Sequence, residues 1–161
     1  MTDFKGLLKA LTDGNVEFIV VGGAAATAHG SSRLTLDLDV VYRRSRENIA
    51  RVFSALKDHD PYPRGAPTGL PFRWGEKTVA SGLNFTLTTD LGDLDLLGEI
   101  PGGGTYEALV RDAVVLDLFG MKVQIVGLER LIQVKRASGR PKDFEVIAEL
   151  EAIREEQETE T

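Results

Sequence analysis

The chain has 161 residues, 42% of them hydrophobic and 27% charged, with a net charge of −6; this suffices for one domain with its own core. Cysteine is absent and the two histidines, His29 and His59, lie far apart in the chain, which excludes disulfides and thiolate zinc sites and directs any metal chemistry to carboxylates. The acidic balance argues against a protein built to grip a long duplex; no apolar run approaches a membrane span, and Met1-Thr2-Asp3-Phe4-Lys5 lacks a signal-peptide pattern, so a cytoplasmic protein is expected.

Phe4, Leu7, Leu8 and Leu11 recur at helical spacing over 3–13, and Gly14-Asn15 ends that helix. Val16 to Val21 is apolar and β-branched, a buried strand. Gly22-Gly23 turns it into a short alanine-rich helix over 24–28, before His29-Gly30. Leu34 to Tyr42 reads as a second strand. Arg43, Arg44 and Arg46 then form either a basic patch or a solvated strand end. Ser45 caps a helix running to about Lys57, with Glu47 in its first turn and Ile49, Val52, Phe53 and Leu56 on one face.

Pro61 to Pro71 holds four prolines and two glycines and reads as a loop, long enough to suggest a function. After it, Phe72 and Trp74 anchor the loop on the core, or Trp74 stacks a ring. Phe85 to Thr88 and Asp93 to Leu97 form a hairpin. Pro101-Gly102-Gly103-Gly104 is a turn without the Lys-Ser/Thr of a P-loop, and Thr105 caps a helical turn after it. A second hairpin joins 114–118 to 121–126 across Phe119-Gly120. Leu128 to Ala137 is helical. Pro141 opens a last helix, with Phe144, Ile147, Ala148 and Ile153 as its buried stripe. The domain is expected over 1–154, with 155–161 as a disordered acidic tail.

The chemistry concentrates in two alternating acidic strands. Asp37 and Asp39 are two apart, so both point to one face. At about 5 Å and an effective dielectric near 20 their repulsion is roughly 3 kcal/mol. Water screens such a pair, or a hard divalent cation sits between the two. Leu91-Gly92-Asp93-Leu94-Asp95-Leu96-Leu97 repeats the alternation. If the two strands are neighbours, a carboxylate of the second completes a three-acid cluster able to hold two Mg²⁺ about 3.5–4 Å apart. The nearby Gly22-Gly23 turn suits a phosphate, because free N–H groups point outward and glycine permits close approach. Lys135-Arg136 with Arg140 and Lys142 is a second candidate basic patch.

Val21-Gly22-Gly23, thirteen intervening residues, Asp37-Leu38-Asp39 and a later lone acid resemble the pattern of the DNA polymerase beta-like nucleotidyltransferase superfamily. The phrase through Ala24-Ala25-Ala26, His29-Gly30, Arg33 and Thr35, with Gly139-Arg140-Pro141-Lys142-Asp143, resembles its bacterial minimal branch, which includes abortive-infection toxin-like proteins. Gly23 departs from the serine of many active members, and the second acidic strand offers both Asp93 and Asp95; Asp95 is favoured. The resemblance implies a single-domain α+β nucleotidyltransferase fold, a mixed β-sheet flanked by helices. It implies a Mg²⁺- or Mn²⁺-dependent enzyme that transfers a nucleoside monophosphate from a nucleoside triphosphate such as ATP. The acceptor hydroxyl belongs to an RNA end, a protein or a small molecule. Asp37, Asp39 and Asp95 would be the catalytic metal ligands; Gly22, Gly23, Arg33, Lys135 and Lys142 would hold the nucleotide. Arg33 pairs with an aspartate or touches a phosphate; His29 caps its helix or touches the substrate. A toxin–antitoxin role with a partner antitoxin protein is part of the expectation. The alternative is a non-catalytic binding or regulatory protein of the same fold.

Overall fold

The computed structural model describes residues 1–160. Helix α1 (Phe4–Asp13) starts where Asp3 accepts the Gly6 N–H, a side-chain N-cap. Strand β1 (Phe18–Val21) is buried along its whole length, as expected of a strand covered on both faces. Gly22, at φ +63°, breaks the strand and starts α2 (Gly22–Ala28). Then come β2 (Asp37–Tyr42), α3 (Arg46–Leu56), β3 (Tyr62–Pro63), α4 (Glu76–Ser81), β4 (Asn84–Thr89) and β5 (Gly92–Leu97). A small hairpin of β6 (Glu99–Ile100) and β7 (Gly104–Thr105) precedes α5 (Tyr106–Leu109). The chain ends with β8 (Val114–Leu118), β9 (Met121–Ile125), α6 (Leu128–Ser138) and α7 (Asp143–Thr159).

Seven strands form one mixed sheet in the order β3-β4-β5-β2-β1-β9-β8. β2 is antiparallel to β1 and parallel to β5, while β1 is parallel to β9. The core runs through the sheet centre, with Ile19, Val40, Val41, Leu94, Leu96 and Ile125 fully buried. α1 packs on α3, α2 on β1 and β2, and α6 on both α2 and α7. The expected α+β class and mixed sheet flanked by helices are therefore present. No helix among the described residues is long and apolar enough to cross a membrane.

Asn48 joins three segments. Its Oδ1 accepts the Glu17 N–H at 2.7 Å, and its Nδ2 donates to Glu17 O at 3.0 Å and Arg43 O at 2.8 Å. This amide ties α3 to one end of the β1–β2 pair, where Glu17 and Arg43 face each other. The Arg43–Arg44 patch is likewise structural. Arg43 pairs with Glu17 and Glu107, and Arg44 donates to Tyr42 Oη, Val79 O and Ala80 O.

Several expectations need correction. The stretch 76–81, to which the sequence pattern assigned no element, is helical, and the Tyr62-Pro63 end of the proline loop is a short edge strand. Thr105 precedes α5 without a side-chain cap bond. α7 begins at Asp143, two residues after Pro141. Its buried positions are Asp143, Ile147 and Leu150, whereas Phe144 is 60% exposed and Ala148 is exposed. Asp143 takes the inward place because Ser138 and Arg140 satisfy its carboxylate, and one residue of helix turns Phe144 about 100° away. Residues 155–159, expected to be disordered, continue α7; Glu and Gln are good helix formers, and Thr159 Oγ1 caps Glu156 O at 2.9 Å. Thr161, the end of the expected tail, lies outside the described residues.

Candidate active site

Parallel pairing of β2 with β5 sets Asp37 opposite Asp93 and Asp39 opposite Asp95. Four carboxylates thus share one sheet face, by period-two alternation within each strand and by the register between them. Asp37, Asp39 and Asp95 each offer an oxygen within 4.8 Å of the others'. Asp93 stands outside that group; its Oδ1 accepts the Thr88 hydroxyl at 3.1 Å. Asp39 Oδ1 is buried and has no hydrogen-bond partner. Burial, and then the charges of Asp37 and Asp95, push Asp39 up to about 8, partly opposed by Lys135. Burial and the Asp95 charge also raise Asp37, with Arg64 acting in the opposite sense.

The glycine turn lies against this cluster. A Cβ on Gly22 would collide with the Asp39 carboxylate, and its φ of +63° is one that L side chains rarely adopt. No side chain caps the start of α2. A Cβ on Gly23 would lie 2.7 Å from Thr35 Oγ1, so the departure from serine at this position goes with the threonine that fills the space. Gly22→Ala is expected to lower the melting temperature by roughly 3–10 °C, the effect of about 1–3 kcal/mol of strain, and to displace Asp39. Calorimetry of the purified variant checks the first, and Mn²⁺ binding checks the second.

These residues open onto a cleft of about 860 Å³, whose lining includes Gly22, Gly23, Asp37, Asp39, Asp95, Lys135 and Lys142. Seven of the eight residues expected at the site therefore meet in one place. α6 carries Lys135 in its last turn and ends at Gly139, in the left-handed conformation at φ +64°. The turn that follows delivers Arg140 and Lys142 to the same cleft. Asp143 organises Arg140 and Lys135: its carboxylate accepts Ser138 Oγ at 2.6 Å and Arg140 Nε at 3.0 Å, and lies 4.0 Å from Lys135 Nζ. Burial raises its pKa, but these hydrogen bonds and charges outweigh burial and hold it below the ordinary value.

Arg33 does not join the cluster. Its guanidinium is 3.0 Å from Glu145 and 3.8 Å from Glu149 on α7. Glu149 also accepts Ser31 Oγ, Ser32 N and Ser32 Oγ, so this corner latches the 31–33 segment to α7. His29 Nε2 bonds Val126 O at 2.7 Å, which makes it a tie between α2 and the end of β9. Trp74 Nε1 donates to Phe53 O at 3.0 Å and its ring meets Phe85 edge-on at 6.3 Å; it anchors the loop on the core.

Sequence reasoning missed Arg64. From the proline-rich loop its Nη2 reaches Asp95 Oδ1 at 2.8 Å and Leu87 O at 2.7 Å. Its Nη1 is 3.6 Å from Asp37 and its Nε 3.5 Å from Asp93. The only sequence signal was an arginine inside a loop too long to be idle.

The donor set fits a hard divalent cation. All the ligating atoms are carboxylate oxygens, and the orphaned Asp39 Oδ1 is a buried acceptor in want of a positive partner.

No protein-family model and no curated protein matches the sequence. Solved structures do. The lincosamide antibiotic adenylyltransferase LnuA, bound to lincomycin, superposes with a TM-score of 0.63 at 16% identity, over 94% of this chain and 98% of that one. ANT(2'')-Ia in complex with adenylyl-2''-tobramycin gives 0.53 at 13% identity, over 97% and 95%. An antigenic nucleotidyltransferase-like protein from Paracoccidioides brasiliensis gives 0.57 at 16%, over 94% and 77%. The chain has the nucleotidyltransferase fold.

Proposed function

We propose that this protein transfers a nucleoside monophosphate from a nucleoside triphosphate to an acceptor hydroxyl. The observation that carries the reading is the convergence of three carboxylates from two parallel strands on a cleft shared with a glycine turn and two lysines. Backbone N–H groups of Gly22 and Gly23 bind the β- and γ-phosphates at the start of α2. Lys135 and Lys142 add positive charge along the triphosphate. Asp37, Asp39 and Asp95 hold Mg²⁺ or Mn²⁺, which when bound supplies Lewis-acid activation of the hydroxyl and neutralises charge on the phosphates. Asp95 accepts the hydroxyl proton as its oxygen attacks the α-phosphorus and pyrophosphate leaves.

The named neighbours LnuA and ANT(2'')-Ia support ATP as donor and a small-molecule hydroxyl as one acceptor class. The sequence resemblance adds RNA ends and protein hydroxyls, and a partner protein of the toxin–antitoxin kind. The test is incubation of the pure protein with each α-labelled triphosphate, Mg²⁺ and separate pools of RNA, protein and aminoglycoside or lincosamide. Label should pass to one pool with release of pyrophosphate. No transfer from any triphosphate to any pool, with or without proteins that copurify, would favour the non-catalytic alternative.

A further inference from the structure

Arg64 reaches the acid cluster from the side of β4 and, among the described residues, is the one side chain outside the cleft lining that pairs with three of the four aspartates. Its contacts are uneven. The bond to Asp95 is short, those to Asp37 and Asp93 are long, and Nε is buried without completing a hydrogen bond. A guanidinium has five donors in a rigid fork; here hydrogen bonds form at Nη2 alone, to Leu87 O and Asp95, and the pairing with Asp37 and Asp93 is one of charge. Two of its three carboxylates, Asp37 and Asp95, are also those grouped with Asp39 as cation ligands.

We propose that Arg64 is a resident counter-ion that a divalent metal displaces, so that metal loading and release of the proline-rich loop are one coupled event. This rests on the metal-site reading above. The Arg64 charge against Asp37, Asp93 and Asp95 stabilises the metal-free site; a divalent cation on Asp37 and Asp95 removes most of that attraction and repels the guanidinium. Arg64 has somewhere to go. Its backbone N–H is fixed to Thr86 O at 2.9 Å, but Gly65 follows at φ +78° with nothing within 4 Å of where a Cβ would stand. Beyond it the segment is held by Tyr62, whose hydroxyl bonds Pro67 O and whose ring meets Phe72. The next firm anchor is Trp74.

Coupling is reciprocal. Arg64→Met should therefore bind Mn²⁺ roughly tenfold or more tightly, the usual size of a coupling, as counted by electron paramagnetic resonance. Arg64→Lys, with one compact charge, should fall between. Removal of any nearby positive charge tightens cation binding to some degree, so a second measurement reads displacement itself. Trypsin needs the Arg64 side chain free. In the wild-type protein, cleavage between Arg64 and Gly65 should accelerate several-fold as Mg²⁺ saturates, while cleavage elsewhere slows or holds. Unchanged or slower cleavage at Arg64 on saturation would overturn the proposal and leave Arg64 a fixed strut, even if Arg64→Met proved too unstable to assay. Absence of saturable Mn²⁺ binding in the wild type would instead remove the metal-site reading beneath it.

Discussion

Asp95→Ala is expected to reduce nucleotidyl transfer on the order of 10³-fold or more, with the loss in kcat rather than KM. The pairing of β2 with β5 is what puts Asp95 beside Asp39. Without it, the two acids of β2 have no cross-strand ligand, and the charge that builds up on the transferring phosphate loses its stabilisation. Binding of the triphosphate depends more on the glycine turn and the lysines and should suffer less. Asp95 is also the closest carboxylate to Arg64, at 2.8 Å. Asp95→Asn, which keeps the shape and one acceptor oxygen, therefore separates chemistry from loss of that contact and should be nearly as inactive. Asp93→Ala should cost far less, because Asp93 lies outside the three-oxygen group. A reversed ranking of Asp93 and Asp95 in single-turnover assays would move the third ligand to Asp93.

The second large effect concerns stability. Asp39 is raised from 3.8 to about 8 by burial and by the charges of Asp37 and Asp95. An acid raised on folding holds its proton in the native state while the unfolded chain has lost it. The native state then binds more protons, so stability falls as pH rises from about 4 to about 8. The size is on the order of a few kcal/mol at the upper end of that window. Asp37 shifts in the same direction and adds to the slope. In chelator, Asp39→Asn should therefore be more stable than the wild type at pH 8, with a visibly flatter profile from pH 5 to 8. Millimolar Mg²⁺ should reverse the order, since a ligand bound only to the native state stabilises it and the amide variant has lost a charged ligand. Parallel profiles for the two proteins in chelator, measured by scanning calorimetry, would show that Asp39 is not the strained group.

Both effects arise from features of very different legibility. The strand–Gly-Gly–helix turn and the Asp37-Leu38-Asp39 alternation were readable because their causes are local. Glycine permits the φ of +63° found at Gly22, and a period of two puts both acids on one face. The two hairpins, the Ser45 cap and most helices follow from the same short-range rules. What local rules cannot supply is which strands become neighbours. Parallel β2 and β5 are joined by a crossover of some fifty residues, and only their register brings Asp95 to Asp39. Arg64 is more distant still from any pattern: a single residue in a loop has no periodicity, and its partners lie about thirty positions away in either direction. The same holds for Arg33, drawn to Glu145 and Glu149 by the docking of α7. It holds too for Phe144, turned outward because Asp143 found Ser138 and Arg140 to satisfy it. Chain-local chemistry thus determined the parts of the site, and tertiary packing decided which charges face one another, because electrostatic partners are chosen by proximity in space and leave no repeat in the sequence.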